Sequence, residues 1–282
     1  MKETEIRLIG LDLDDTTLAS DGTLAAETKA AIRRAIDAGI EVVIASGRAY
    51  SALPAEVLEI PGIHYAVTSN GSAVNRVPGG QKIKSYVIPE KAVLQMLEII
   101  EPYYGKLAVE AFIDGVPYSG AEHVAYPEKY GCSPAYVGYI RSTRKPVENI
   151  REFILENRNQ INSMDVACPD VEIREKIRSQ IAASMEGVFL TSSTKHLTEI
   201  ICSDAGKDAG LKYVCDLLEI PHEATAACGN ADNDIAMMKF AGLGVAVANA
   251  TPNCLAAADL VIGNNNDHSI AEFINGICEK RK

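Results

Sequence analysis

The stretch Arg7–Leu24, RLIGLDLDDTTLASDGTL, decides how the rest of the chain is read. An apolar run passes straight into Asp12, Asp14 and Asp15, and then into Thr16 and Thr17. Carboxylates this close repel one another, so a cation, hydrogen-bond donors or solvent must relieve them. The leading half, IRLIGLDL, has the unbroken hydrophobicity of a strand buried on both faces. In an extended chain Asp12 and Asp14 share a face while Asp15 points aside. Two such carboxylates at a strand end can act as nucleophile and proton-transfer group, with Mg²⁺ offsetting their repulsion. The amides of residues 13–16 could form an anion-binding nest. A solvated acidic turn is the alternative, because Asp favours loops.

Outward from this stretch, strand and helix alternate. LAAETKAAIRRAIDAG spaces its apolar residues by three and four and stops at Gly39, a helix pattern. IEVVIAS predicts a second buried strand, YSALPAEVLEI a helix, and HYAVTSNGSAV a hairpin turning at Asn70–Gly71. The same alternation resumes near residue 197 with LTEIICS, GKDAGLKYVCDLLEI and EATAACG, and continues through NDIAMMKFAG, LGVAVANA, TPNCLAAA and DLVIG to SIAEFINGICEK. This order predicts an α/β fold, a Rossmann-like parallel sheet core with helices on both faces. Between about 82 and 192 the strand-like KIKSYVI, KLAVEAFID, NSMDVAC and GVFLTSS mix with helical segments. An inserted α+β cap over 83–192 is therefore expected, with 1–82 and 193–282 forming the core.

Composition sets outer bounds. The 282 residues carry 47% apolar and 23% charged side chains, ordinary for a folded chain of one or two domains. A net charge of −11 without a Lys/Arg stripe argues against nucleic acid. It also means that an anion site needs its own local positive potential. The 7 cysteines form no CxxC pair and read as buried thiols of a reducing cytosol. No run approaches the ~18 apolar residues of a membrane span, and the charged N-terminus lacks a signal core. A cytoplasmic, membrane-free chain is expected.

Other strand ends carry further candidates. Ser46 and Arg48 in ASGRA could bind phosphate, although a Ser-Gly pair is often only a turn or cap. Lys207 opens the helix GKDAGL, where a cation opposes the helix dipole unless an anion lies beside it. A surface lysine is the plain alternative. In ACGNADNDIAMM, Asn230, Asp232, Asn233 and Asp234 exceed what one helix cap needs, and a hard-cation site with oxygen ligands explains the surplus. Asn70–Gly71 is first a turn and second a ligand contact, and GNNND at 263–267 is a loop.

The ordered set DLDDTT, ASGR, the lysine of GKDAGL, and GNADND resembles the four signature motifs of the haloacid dehalogenase-like phosphohydrolases. TSNGSAV and GVAVANATPNCLAAADLVI resemble the Cof-type subfamily, and the likeness spans the whole chain. The resemblance implies a Mg²⁺-dependent phosphatase of small phosphorylated metabolites, sugar phosphates foremost. Asp12 would attack phosphorus and form an aspartyl phosphate, and Asp14 would serve as acid and then base. Thr16, Ser46 and Lys207 would bind the phosphoryl group, Thr16 also orienting Asp14. Asp12, Asp14, Asn230 and Asp234 would hold the metal, while Arg48, Asn70 and Gly71 would contact substrate. The family usually has Asp where Asn230 stands, so a weakened metal site, or transfer of the ligand role to Asp234, is expected. Asp15 in place of Gly and Thr17 in place of Leu are milder departures. A phospho-accepting signalling module, a phosphate-binding protein without turnover, and a phosphomutase are the competing assignments. The state expected is a monomer or small homo-oligomer.

Overall fold

The structure is a computed structural model and describes residues 5–192 and 194–281. Residues 1–4, read above as part of the charged start, and Ser193, the expected first residue of the returning core, lie outside the described residues. The chain divides into two compact units. The first comprises the residues up to Arg48, Leu53–Lys84 and those from Gly206 onward; the second comprises Ala49–Ala52 and Ser85–Ala205.

The strands in chain order are β1 (Leu8–Leu11), β2 (Glu41–Ala45), β3 (Tyr65–Thr68), β4 (Ala73–Arg76), β5 (Lys82–Ser85), β6 (Ala108–Ile113) and β7 (Val116–Gly120). There follow β8 (Lys145–Val147), β9 (Ser163–Ala167), β10 (Val188–Thr191), β11 (Leu197–Cys202), β12 (Thr225–Gly229), β13 (Leu243–Ala246) and β14 (Leu260–Val261). Among the described residues the first unit builds one sheet in the order β14-β13-β12-β1-β2-β3-β4-β5. Its pairings from β14 to β3 are parallel, and β3 meets β4 antiparallel. Parallel strands need crossovers, and the intervening helices supply them on both faces of an α/β fold. Leu8, Val43, Val67 and Ala227 pack with Leu211, Val214 and Met237 from the helices Lys207–Leu217 and Ile235–Phe240. Gly10 lies on that face too, where an added Cβ would come within 3.2 Å of Leu211.

The second unit has its own sheet, ordered β10-β11-β9-β6-β7-β8 and antiparallel except between β7 and β8. The helices Glu90–Ile100, Ile150–Glu156 and Val171–Ser184 pack their apolar stripes on one face, against Val109, Ala111, Met164, Val166 and Ile200.

Several expectations are corrected. LTEIICS does not resume the first sheet: β11 pairs with β9 and β10, so the second unit extends to Ala205, beyond the junction expected at 192/193. KIKS goes the other way, as the edge strand β5 of the first sheet. The helix expected over YSALPAEVLEI is two short turns, Tyr50–Ala52 and Ala55–Leu58, interrupted at Pro54, which cannot continue the preceding turn's hydrogen bonding. The strands β7 and β8 and the helix Pro134–Thr143 were not anticipated. Among the described residues no helix is long and apolar enough to cross a membrane.

Candidate active site

Asp12 follows β1 directly, and its amide still donates to the Cys228 carbonyl at 3.1 Å, extending the pairing with β12 by one residue. The chain then turns sharply. Asp14 keeps extended torsions, but Asp15 sits at φ +55°, a left-handed conformation that Asp tolerates better than most residues. The Thr17 hydroxyl donates back to the Asp12 carbonyl and closes the turn. Asp12 and Asp14 therefore part company. The Asp14 carboxylate accepts from Arg48, with 2.9 Å to Nε and a second bond from Nη2, a bidentate pair that fixes its plane.

Asp12 is 4% exposed and lies beside Lys207, which is 2% exposed at the first turn of the helix Lys207–Leu217. Lys207 Nζ donates to Asp12 Oδ1 at 2.7 Å and to Asp234 Oδ1 at 2.6 Å. Two carboxylates thus resolve the conflict between a lysine and a helix N-terminus. Asp234 is fully buried, and its Oδ2 accepts from the amides of Asn230 at 2.9 Å and Ala231 at 3.0 Å. Gly229 makes this turn possible, since a Cβ there would stand 2.4 Å from Asp234 Cβ.

The cluster's charge does not balance. Two carboxylates and one ammonium leave one negative charge in excess in a buried place. Burial first, and then Asp234, push the Asp12 carboxyl up to about 7 against the opposing pull of Lys207, with a small further rise from Asp14. Burial alone would lower the Lys207 pKa, but Asp12 and Asp234 reverse this and raise it.

Ser46 is fully buried at the end of β2, and its Oγ accepts the Arg48 amide at 3.1 Å. Thr16 Oγ1 is buried without a hydrogen-bond partner among the described residues, so this hydroxyl retains its donor. Asn70 Oδ1 accepts from Asn233 Nδ2 at 2.9 Å, and the Asn70 amide donates to the Ser46 carbonyl, tying the loop after β3 to the ends of β2 and β12. Gly71, at φ +89°, lies so close to the residue preceding Lys207 that a Cβ would stand 1.9 Å from the Gly206 carbonyl oxygen. The expected residues thus converge on one edge of the sheet, where ligands of open parallel sheets bind.

Two residues of the expected cation cluster have other partners here. Asp234 has one oxygen on an ammonium and the other on two amides, so it holds Lys207 and the turn after β12. Asp232, in the expected cation cluster, instead accepts from Thr251 Oγ1 at 2.7 Å and Asn253 Nδ2 at 3.1 Å. Among the described residues no three His, Cys, Asp or Glu side chains form a ready metal cage. What remains for a cation is Asp12 Oδ2, which has no hydrogen bond among the described residues, the half-buried Asn230 amide and backbone carbonyls of the turn. That is a sparse set of hard oxygen donors beside an uncompensated negative charge, which fits a hydrated divalent cation. Thr17 was read only as a departure from a family pattern. Its signal was a hydroxyl five residues beyond a strand-end Asp.

The sequence profile of the haloacid dehalogenase-like hydrolases matches residues 9–274. The phosphatase YwpJ of Bacillus subtilis is 30% identical over 95% of this chain and 99% of its own. The 5-amino-6-(5-phospho-D-ribitylamino)uracil phosphatase YitU of the same organism is 28% identical over 96% of this chain and 97% of its own. A solved haloacid dehalogenase-like hydrolase from B. subtilis superposes with a TM-score of 0.80 at 26% identity, covering 96% of this chain and 99% of that one.

Proposed function

The chain belongs to the haloacid dehalogenase-like hydrolases, and from that premise we propose that it is a Mg²⁺-dependent phosphatase of small phosphorylated metabolites, sugar phosphates foremost. The observation that carries this is the buried Lys207 held between Asp12 and Asp234 at the sheet edge. Phosphoryl transfer asks mainly for in-line positioning and neutralised oxygens. The Asp12 carboxylate attacks phosphorus through one oxygen to give an aspartyl phosphate, with the Lys207 ammonium beside it. The alkoxide leaves with a proton from Asp14, which Arg48 orients. Asp14 then takes a proton from the water that cleaves the acyl phosphate and frees inorganic phosphate. Lys207, the Ser46 hydroxyl and the unpartnered Thr16 hydroxyl receive the phosphoryl oxygens. Asp12, Asn230 and the Asp14 carbonyl would hold Mg²⁺, which supplies positive charge to the phosphoryl oxygens when bound.

Arg48, Asn70 and Gly71 shape the edge on which substrate lies, and the second unit is assigned the part of substrate-selecting cap. Several relatives are named as phosphatases of small phosphorylated metabolites, which supports that substrate class. The setting is taken to be the cytoplasm, with a monomer or small homo-oligomer as the working form.

Incubation with p-nitrophenyl phosphate and Mg²⁺ tests the assignment. Many turnovers per chain are expected, and none for Asp12→Ala. A single labelling event, or turnover that survives Asp12→Ala, would remove it.

A further inference from the structure

The turn that carries Asp14 is held by more than its own hydrogen bonds. Asn249, in the loop after β13, donates from Nδ2 to the carbonyl of Asp15 at 2.8 Å. Its Oδ1 accepts the Asn265 amide at 3.0 Å. Asn265 is itself buried, and its Nδ2 reaches the Leu18 carbonyl at 3.0 Å. Asn266 completes the brace, accepting the Ser20 amide at 3.0 Å and donating to the Ser20 hydroxyl at 3.1 Å. The turn, through Asn249, and the chain just after it are thus fastened to GNNND, which on sequence grounds is only a loop.

The point of attachment matters. Asp15 is the one residue of the turn at positive φ, and its carbonyl is where the chain leaves that conformation. That carbonyl belongs to the Asp15–Thr16 peptide, so if it shifts, the turn closed by Thr17 on Asp12 must readjust, and the Asp14 carboxylate then moves relative to a bidentate Arg48 that tolerates little misalignment. We infer that Asn249, backed by Asn265, is a positioning residue for the proton-transfer carboxylate Asp14. Asn249 acts through the Asp15 carbonyl and touches no reacting atom. This rests on the phosphatase assignment above and adds to it a residue outside the four motif segments.

The test uses the difference between leaving groups. p-Nitrophenolate departs without a proton, whereas an alkoxide needs one from Asp14 in the step reported by kcat/KM. Asn249→Ala and Asn249→Asp are made in the full chain. The second keeps an acceptor for the Asn265 amide and replaces the donor to Asp15 by a carboxylate oxygen that repels its carbonyl, and both replace an exposed side chain, so the fold is retained. Each variant is expected to lose kcat/KM on a simple alkyl phosphate about tenfold or more beyond its loss on p-nitrophenyl phosphate, because small displacements of a catalytic group cost up to ~100-fold. Equal losses on the two substrates, or no loss on either, overturn the inference while leaving the phosphatase assignment standing. Wild type that turns over neither substrate removes the assignment and the inference together.

Discussion

Replacing Asp12 by Asn should remove a loss of stability that wild type suffers as pH rises from about 4 through about 7. Buried beside Asp234, the Asp12 carboxyl holds its proton up to about pH 7, against an ordinary value of 3.8. Because the folded-state value is raised, this group's contribution is fully present below pH 3.8 and is lost as pH climbs through 7. Each full pH unit in that window costs ~1.4 kcal/mol, and the carboxyl is half titrated at pH 7, so wild type loses about 2 kcal/mol between pH 5 and pH 7 from this one group. The amide of Asp12→Asn has no proton to lose and still offers Lys207 an oxygen. The gap between variant and wild type should therefore widen by about 3 kcal/mol from pH 5 to pH 8, or roughly 6 °C in Tm for a chain of this size. Thermal melts in chelated buffer at pH 5, 6, 7 and 8 read it directly. Added Mg²⁺ should narrow the gap at pH 8, because it would sit beside the ionised wild-type carboxylate. A constant gap across the series would mean that Asp12 is ionised throughout, and that Lys207 alone compensates both carboxylates.

Lys207→Met should cost ~3–5 kcal/mol of stability by urea titration, since it strands Asp234, fully buried, beside Asp12. A loss below about 1 kcal/mol would show the cluster to be open to water. Gly71→Ala should cost about 2 kcal/mol or more and abolish turnover, because its Cβ meets the Gly206 carbonyl at φ +89° and displaces the start of the Lys207 helix. Asn230→Asp should bind Mg²⁺ roughly tenfold more tightly by calorimetry, as a full charge is added to a sparse ligand set. Unchanged affinity would place Asn230 outside the ligand set.

What could be read from the sequence follows from how far each rule reaches along the chain. The strands of the first sheet were legible because burial on both faces makes them near-continuous apolar runs, and Asp12, Ser46 and Gly229 stood at their ends. LTEIICS has the same look yet pairs with β9, since hydrophobicity marks a strand without naming its partner. KIKS was misplaced for the converse reason: an edge strand is half polar, and only its pairing assigns it to a sheet. At the site the residue types were legible and the side-chain directions were not. The alternation rule puts Asp12 and Asp14 on one face only while the backbone stays regular, and the left-handed Asp15 ends that within three residues. One carboxylate then meets an ammonium and the other a guanidinium. Lys207 and Asp234 join Asp12 from positions 195 and 222 residues away, an arrangement that strand order creates and local pattern cannot show. The same holds for Asn249 and Asn265. Asn is common in turns for local reasons, so nothing in GNNND or VANA separates a brace from a loop. Only when β13 and β12 lie beside β1 does the loop after β13 reach the Asp15 carbonyl. A phosphatase assignment drawn from four motifs proposes a nucleophile and is silent about what aims its acid. The hydrogen bonds on which our inference about that second question rests join segments more than 200 residues apart in the sequence.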